Sequence, residues 1–349
     1  MNVKTWKHVT LKAHYCALLI GALWLSPKVA VAASYTSSIF ATGVPVNARS
    51  PDSVTYGNGS LWVEYSNGAA SSNYSGNSTL VQYNLSGAVQ NTYSLGGNVD
   101  GLKYNPSTGV VWALQNQDGN SQLSIISPST GSVNTYFYPS PVSSSRGFDD
   151  VAFLGNNVYL SQTNPASASD AVVVKLNSSN PATPLSFSTV LTGAGILATD
   201  PDSLKSTPTG GLILTGEGDG ALTFITNPGT VSQTASSVKL SGGNGATIGS
   251  PDDAIYATAA SGTFYVTDSS TNTVYAIAAS GLAANTSLFV SVGNMFGSVD
   301  PATGIVTPIL TGTGLHGAEF VASPEPASVG MALAGAGILA FAAYRKRTA

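Results

Sequence analysis

The sequence predicts an all-β fold, a single β-propeller with six blades and with seven as the alternative. The first observation is a recurring segment, in which an aspartate follows Pro, Val or Phe and precedes Ser, Gly or Asp. The aligned residues, called here the aspartate column, are Asp52, Asp100, Asp149, Asp202, Asp252 and, in a variant near the end, His316. Their intervals are 48, 49, 53, 50 and 64 residues, and a period close to fifty suits four-stranded blades.

The second observation is what lies between these segments. Short runs of β-branched and aromatic residues alternate with turns rich in Gly, Asn, Ser and Pro, which is typical of strands in all-β domains. The chain is 43% hydrophobic and only 9% charged. Low charge can indicate disorder, but disordered segments also lack aromatic and β-branched residues. This composition therefore favours a folded domain with a large core.

The repeat divides the body into five units, at about 50–97, 98–146, 147–199, 200–249 and 250–282, before a less regular stretch at 283–323. The units offer short strands, such as those at 61–64, 79–83 and 89–95 in the first. Propellers commonly close by pairing strands from both chain ends in one blade, which removes an exposed sheet edge. We expect the segments 37–41 and 318–321 to do so. The body, 34–323, is predicted to be one domain.

The charges of the body are mostly negative. Between residues 34 and 323 there are 16 acidic and 6 basic side chains, whereas both chain ends are basic. A nucleic-acid partner is therefore not expected, because such proteins present basic surfaces. Divalent cations and neutral glycans are better suited to this balance.

The N-terminus is predicted to be a secretory signal peptide, residues 1–33. Lys4, Lys7 and Lys12 precede an apolar run at 16–25, and small residues follow at 30–33, which is the order that the secretion machinery recognises. The alternative is an uncleaved membrane anchor, but the run is short for one. The single cysteine, Cys16, lies in this run, so disulfides are not expected in the mature chain.

The C-terminus carries a second targeting segment, residues 324–349. An uncharged stretch at 327–344 is long enough for one membrane helix, and the basic residues after it would remain in the cytoplasm. The flanking residues are Pro324, Glu325 and Pro326 before it, and Arg345, Lys346 and Arg347 after it. This arrangement resembles the PEP-CTERM protein-sorting signal. The resemblance implies a Gram-negative host that makes exopolysaccharide, transient anchoring in the inner membrane, cleavage by an exosortase-type protease, and transfer to the cell surface or matrix. The alternative is a permanent single-span anchor.

Repeat geometry predicts where a site would lie. The first strand of each blade starts beside the central axis and the second strand returns to the same rim, so the aspartate column should converge at one mouth of the channel. Function tends to reside on loops above a rigid scaffold. The predicted ligand-binding rim consists of Glu64, Tyr65, Gln115, Asn116, Asp118, Gln162, Glu217, Asp219 and Asp268.

The chemistry of the column leaves alternatives open. Five carboxylates around one axis repel one another unless they are solvated, protonated or bridged by a cation, and Ca²⁺ or another divalent cation accepts such oxygens. Alternatively, each aspartate bonds to backbone N–H groups of its own turn. His316 departs from the repeat, so it is the candidate catalytic or ligand-binding residue, with a structural role as the alternative.

Two functions are compatible with these residues. The segments 59–64, GSLWVE, and 315–317, LHG, resemble the superfamily of NHL-repeat, gluconolactonase and streptogramin-lyase propellers. That resemblance implies a divalent metal near the axis, held by carboxylate, Asn or His side chains, in its enzymatic members. The favoured hypothesis is a surface-sorted propeller that binds exopolysaccharide or a protein partner through its acidic rim. The alternative is a metal-dependent hydrolase or lyase, because fold alone does not fix function.

Overall fold

The computed structural model describes residues 32–72, 75–138, 147–178, 185–246 and 248–323. Over these ranges the chain forms six β-sheets, and their innermost strands contact one another in a closed ring. The fold is therefore an all-β propeller of six blades, as the repeat predicts. The predicted sorting signal and all but the last two residues of the predicted signal peptide lie outside the described residues. Within the described part of the chain, no helix is long and apolar enough to span a membrane.

The first four blades are built from consecutive antiparallel strands. Before them come β1 (Ser34–Thr42) and a short 3-10 helix (Val44–Val46). Blade I contains β2 (Pro51–Gly57), β3 (Ser60–Tyr65), β4 (Asn77–Asn84) and β5 (Val89–Gly96). Blade II contains β6 (Val99–Asn105), β7 (Val110–Gln115), β8 (Gln122–Ser127) and β9 (Ser132–Phe137). Blade III contains β10 (Phe148–Leu154), β11 (Asn157–Gln162), β12 (Ala171–Leu176) and β13 (Phe187–Thr192). Blade IV contains β14 (Pro201–Ser206), β15 (Leu212–Gly216), β16 (Ala221–Thr226) and β17 (Thr234–Lys239).

The last two blades are interleaved along the chain. The remaining strands are β18 (Ser241–Gly242), β19 (Pro251–Tyr256), β20 (Ser261–Asp268), β21 (Thr273–Ser280), β22 (Leu288–Val292), β23 (Met295–Val299), β24 (Ile305–Thr311) and β25 (Leu315–Ala322). Blade V has the order β19-β22-β23-β24-β18, and blade VI has the order β25-β20-β21-β1. The chain therefore leaves blade V after its inner strand, forms the β20–β21 hairpin of blade VI, and returns to complete blade V.

This crossover corrects the expected fifth unit, 250–282, because the strands at 261–280 belong to blade VI rather than blade V. It also explains the long final interval of 64 residues between Asp252 and His316. The closure prediction is confirmed in its main point, since the first and last strands lie in the same blade. They are not neighbours, because the β20–β21 hairpin separates them.

Hydrophobic clusters between neighbouring blades hold the ring together. Six clusters of buried side chains are present, one at each of the six interfaces. The crossover between blades V and VI is packed by aromatic rings. The Phe264 ring centroid lies 4.7 Å from that of Phe320 and 5.3 Å from that of Phe296, which is within the range of favourable aromatic contacts. This cluster fixes the inserted hairpin against both blades.

The inner strand of every blade carries a β-bulge at the column position. In blade I, for example, Pro51 pairs with Tyr65 while Val54 pairs with Val63, so one extra residue is present; the other five blades repeat this shift. A bulge redirects side chains at the rim of a barrel-like structure. Here the column residue and the residue after it both line the channel in blades I, IV and V.

Candidate functional site at the upper mouth

The inner strands all begin at one rim of the channel, called here the upper mouth, and end at the other, called the lower mouth. A cavity of about 290 Å³ occupies the upper mouth and is lined by all six residues of the aspartate column. Its other lining residues are Gln117, Asp118, Thr163, Asn164, Asp200, Pro201 and Glu217. The bulge at the start of each inner strand thus brings together side chains that are up to 264 positions apart in the sequence.

His316 is ion-paired inside this cavity. Its Nδ1–H donates to Asp252 Oδ1 at 2.7 Å, and Asp52 Oδ1 lies 3.5 Å from the same nitrogen. The nearby Asp252 carboxylate, opposed by partial burial, raises the pKa of His316 to about 10. The imidazole is therefore charged at neutral pH and compensates part of the negative charge of the ring.

The positive charge near the remaining carboxyl groups is too small to offset the cost of ionising them. Burial raises the pKa of Asp52 to about 6, although His316 acts in the opposite direction. Burial, followed by neighbouring carboxylates, raises the pKa of Asp100 and of Asp202 well above its usual range. Burial likewise raises the pKa of Asp149 well above its usual range, against a hydrogen bond from Thr163. A bound cation would lower this electrostatic cost, because it favours the ionised form of each carboxyl group.

Glu217 is a further carboxyl group of the cavity that does not belong to the aspartate column. It follows β15 on the rim of blade IV, and burial, with Asp252 and Asp200 nearby, raises its pKa to about 7. Glu217 and the protonated His316 line the same cavity, so both a proton acceptor and a proton donor are available near neutral pH.

Two three-residue groups have the spacing that a metal ion needs. Ligand atoms of Asp52, Asp252 and His316 lie within 4.8 Å of one another, as do those of Asp202, Glu217 and Asp252. Ca²⁺ binds oxygens at about 2.3–2.6 Å, so two ligands on opposite sides of the ion are about 5 Å apart. The second group is the better fit for such a hard cation, since it offers only carboxylate oxygens and His316 Nδ1 is already engaged.

A second layer of charged residues lies directly below the column. This ion-paired layer consists of Asp150, Ser203, Lys205 and Asp253, which extend from three inner strands. Lys205 Nζ lies 2.9 Å from Asp150 Oδ2 and 3.2 Å from Asp253 Oδ1. Burial opposes the charge of Lys205, but the two aspartates outweigh it and raise the pKa of its ammonium group.

The aspartates that bond to backbone amides are in this layer rather than in the column. Asp150 Oδ1 accepts from Val151 N at 2.8 Å, and Asp253 Oδ2 accepts from Ala318 N at 2.8 Å. The alternative for the column was a carboxylate that accepts a hydrogen bond from the backbone of its own turn. That bonding is found one residue later in the repeat, at Asp150 and Asp253. Between the column and this layer is a space of only about 30 Å³, so the layer forms the floor of the upper cavity.

Five residues of the expected ligand-binding rim are buried instead of exposed at the mouth. These are Glu64, Tyr65, Gln115, Asn116 and Asp268, each at most 1% exposed. Tyr65 Oη is hydrogen-bonded to Tyr83 Oη at 2.8 Å within a buried hydrophobic cluster. Gln115 Nε2 donates to Gly96 O at 2.6 Å, and Asp268 Oδ1 accepts from Ser270 N at 3.1 Å. These five side chains therefore do not face solvent at the upper mouth, and their assignment to a ligand-binding rim stays a prediction.

Glu64 is unusual among them. It lies opposite the bulge of blade I, where four other blades have Ser or Thr. Both of its carboxyl oxygens are buried without a hydrogen-bond partner among the described residues. Burial, followed by the charge of Asp52, raises the pKa of Glu64 well above its usual range. The Glu64 carboxyl group is therefore harder to ionise than an exposed glutamate.

The other rim residues divide between the cavity and its surroundings. Asp118 and Glu217 line the cavity, whereas Gln162 and Asp219 do not. Asp219 Oδ2 instead accepts from Thr199 N at 2.7 Å.

Gln117, Thr163, Asn164, Asp200 and Pro201 also line the cavity, although they are not among the predicted rim residues. Position alone could have identified Asp200 and Pro201, because they immediately precede Asp202 of the column. The position of the Asn164 side chain depends on the turn, in which this residue has a positive φ of 47°. Its amide donates to Asp118 Oδ1 at 2.7 Å, which links blades III and II at the rim.

Comparison with protein families identifies one match. Residues 324–347 match the PEP-CTERM protein-sorting motif. The motif indicates export and C-terminal sorting to the cell surface through exosortase-type processing, as the resemblance at these residues implied. A search of curated proteins finds no significant match to this chain.

Solved structures similar to this chain are propellers at low sequence identity. A protein provisionally assigned as a gluconolactonase is 12% identical with a TM-score of 0.51, and covers 81% of this chain and 84% of its own. A gluconolactonase from Xanthomonas campestris is 11% identical with a TM-score of 0.50, over 77% and 79% of the two chains. A streptogramin B lyase is 14% identical with a TM-score of 0.45, over 84% and 74%. At these identities the similarity concerns the fold alone.

Proposed function

We propose that this exported propeller binds a divalent cation at its upper mouth and, through that cation, an extracellular polymer rich in hydroxyl or carboxylate groups. An exopolysaccharide of the matrix has this chemistry. The proposal combines the sorting motif with the acidic cavity, since the former directs the chain to the surface and the latter provides a place to bind.

The observation that carries the proposal is the concentration of carboxyl groups in one cavity. The five column aspartates, together with Asp118, Asp200 and Glu217, face a single ion-paired imidazolium there. The raised pKa values of Asp52 and Glu217 mean that ionising these carboxyl groups is unfavourable when no cation is bound. A divalent cation held by Asp202, Glu217 and Asp252 would relieve this repulsion.

The step from cation to polymer follows from coordination number. Ca²⁺ takes six to eight oxygen ligands, and the candidate group contains three side chains. Further positions are thus open to water or to ligand oxygens from the solvent side. Gln117, Thr163 and Asn164 on the cavity wall offer amide and hydroxyl groups, which can hydrogen-bond to a sugar.

Titration calorimetry with Ca²⁺, and Mg²⁺ for comparison, tests the cation. We expect binding to the purified protein and a weakening of at least tenfold in Asp202→Asn, which removes a central carboxylate. Asp219→Asn is the matched control, because it removes a carboxylate of the same blade that does not line the cavity. At 100-fold excess over the dissociation constant, Ca²⁺ should stabilise the fold by about 2.7 kcal/mol. Equal binding by both variants, or none by the parent protein, would contradict the proposal.

Retention on immobilised anionic polysaccharide then tests the polymer. Retention should require Ca²⁺, be reversed by EDTA, and be lost in Asp202→Asn but not in Asp219→Asn. Ca²⁺ binding without any polysaccharide retention would preserve the cation site and reject the polymer.

A second candidate is a metal-dependent hydrolase or lyase. It is favoured by the proximity of a protonated His316 to carboxyl groups whose pKa values lie near neutrality. If chemistry occurs, His316→Gln should abolish turnover in a screen of lactone and polysaccharide substrates while retaining the melting temperature. Unchanged turnover in that variant would remove His316 from any mechanism.

A further inference from the structure

The lower mouth is the face from which both ends of the propeller domain leave. β25 runs from Leu315 at the upper mouth to Ala322 at the lower mouth, where Gly262 pairs with Ala322 and Ser323 N donates to Ser261 O at 3.0 Å. In the same sheet Ser261 pairs with Ser280, which pairs with Ser34 at the start of β1. Ser34 and Ser323 therefore lie at opposite ends of one four-stranded row, about 14 Å apart.

The sorting motif begins directly after this point. Ser323 is the last described residue, and the motif match starts at Pro324. Only Pro324, Glu325 and Pro326 separate Ser323 from the uncharged stretch that begins at 327. Three residues span at most about 10 Å even when the chain is fully extended. The tether between the folded propeller and a membrane-embedded segment is therefore short.

The two faces of the propeller differ sharply in charge. The sequence segments that connect strands at the lower mouth contain one carboxylate, Asp300, and no lysine or arginine, while Lys103, Lys205 and Glu319 line a pocket near that mouth. The upper mouth carries the aspartate column together with Asp118, Asp200 and Glu217. The excess negative charge of the propeller is therefore concentrated at the upper mouth.

We propose that, while the sorting segment is attached, the lower face of the propeller lies against the membrane surface and the acidic upper mouth points away from it. To bring the upper mouth to the membrane, the chain after Ser323 would have to run back along the eight residues of β25, a distance of about 26 Å. The tether of about 10 Å cannot reach that far. The pairing of Ala322 and Ser323 with the middle of blade VI prevents the end of β25 from lengthening the tether without loss of sheet hydrogen bonds.

This arrangement has a consequence for export. The candidate ligand cavity is open to the extracellular side before the sorting segment is cleaved, so ligand binding and processing do not compete for one face. Both processing regions, next to Ser34 and next to Ser323, lie on the membrane side, where membrane-bound proteases act.

Depth-dependent fluorescence quenching tests the orientation. The full chain, carrying Cys16→Ser, is produced in a host without a sorting protease, and its membrane-retained form is reconstituted into phosphatidylcholine vesicles. One exposed cysteine is introduced on each face, Ala260→Cys on the lower and Ala166→Cys on the upper, and labelled with a fluorophore. With nitroxide attached to the lipid headgroup, we expect several-fold stronger quenching at residue 260 than at residue 166.

A linker variant distinguishes the tether from other causes. Inserting a flexible Gly/Ser segment of about 20 residues between Ser323 and Pro324 should abolish the difference between the two labels. Equal quenching at both positions in the parent chain, or stronger quenching at residue 166, overturns the proposal. A difference that persists unchanged with the long linker overturns the tether as its cause.

Discussion

The aspartate column and the ion-paired layer occupy adjacent positions of the same repeat, yet their environments are opposite. In the layer, Lys205 is placed between Asp150 and Asp253, and backbone amides donate to the other oxygen of each carboxylate. In the column, five aspartates share one histidine. The layer has one lysine for two aspartates, whereas the column has one histidine for five, so the column retains the larger unbalanced negative charge.

This difference indicates a structural role for the ion-paired layer and a candidate functional role for the aspartate column. A buried carboxylate that is paired and hydrogen-bonded contributes to a defined core. A group of carboxyl groups with raised pKa values in a solvent-accessible cavity costs stability and is a candidate for binding or chemistry. The β-bulge allows one strand to supply a residue to the column and a residue to the layer, because two consecutive residues face the channel.

The largest expected effect comes from breaking the layer. Lys205→Met leaves Asp150 and Asp253 buried without their cation, and we expect a loss of about 3–5 kcal/mol in the free energy of unfolding. Urea denaturation measures it. Lys103→Met is the control, because Lys103 has a single partner, Glu319 at 2.9 Å, and is 22% exposed. A loss in Lys205→Met no greater than in Lys103→Met would show that the layer is not a structural brace.

A smaller effect should follow from crowding the layer. The channel position after Asp100 is Gly101, where a Cβ atom would overlap the backbone of Asp149 and Asp150 on the next inner strand. Gly101→Ala should therefore cost about 1–3 kcal/mol, measured by thermal or urea unfolding. Gly243→Ala is the matched control, since a Cβ there has nothing within 4 Å. If both variants have parent-like stability, the inner strands are not packed as tightly as described.

The smallest effect is the pH dependence of the column. The folded-state pKa values of Asp52, about 6, and Glu217, about 7, lie above those of unfolded chains, so the folded state binds protons more tightly. Their contribution is present at low pH and is lost as pH rises through 6 and 7. The melting temperature in EDTA should fall between pH 5 and pH 8, and Ca²⁺ should reduce the fall.

A double variant tests the assignment of this pH dependence. Asp52→Asn combined with Glu217→Gln should make the profile shallower in EDTA, because neither amide titrates, while Asp100, Asp149 and Asp202 still contribute to the slope. A melting temperature that rises over the same range in the parent protein would contradict the raised pKa values. An unchanged profile in the double variant would assign the pH dependence to other groups.

Much of this protein is determined by local sequence. The Pro- or Val-led aspartate segments specify one bulged inner strand per unit, and their period specifies the blade, because both depend on residues close together in the chain. The sorting motif at 324–347 is likewise a linear signal, read from Pro324–Pro326, an uncharged stretch and a basic end.

Tertiary structure alone decided which strands share a blade at the closure. The segment 261–280 follows Asp252 at the usual spacing and alternates like earlier second and third strands, so nothing local assigns it to blade VI. Its assignment depends on packing of Phe264 against Phe289, Phe296 and Phe320, which are contacts between distant residues. The burial of Glu64, Tyr65 and Asp268, and the pairing of Lys205 with Asp150 and Asp253, arise in the same way. Exposure and ion pairing are properties of neighbouring blades, and one strand does not encode what will be packed beside it.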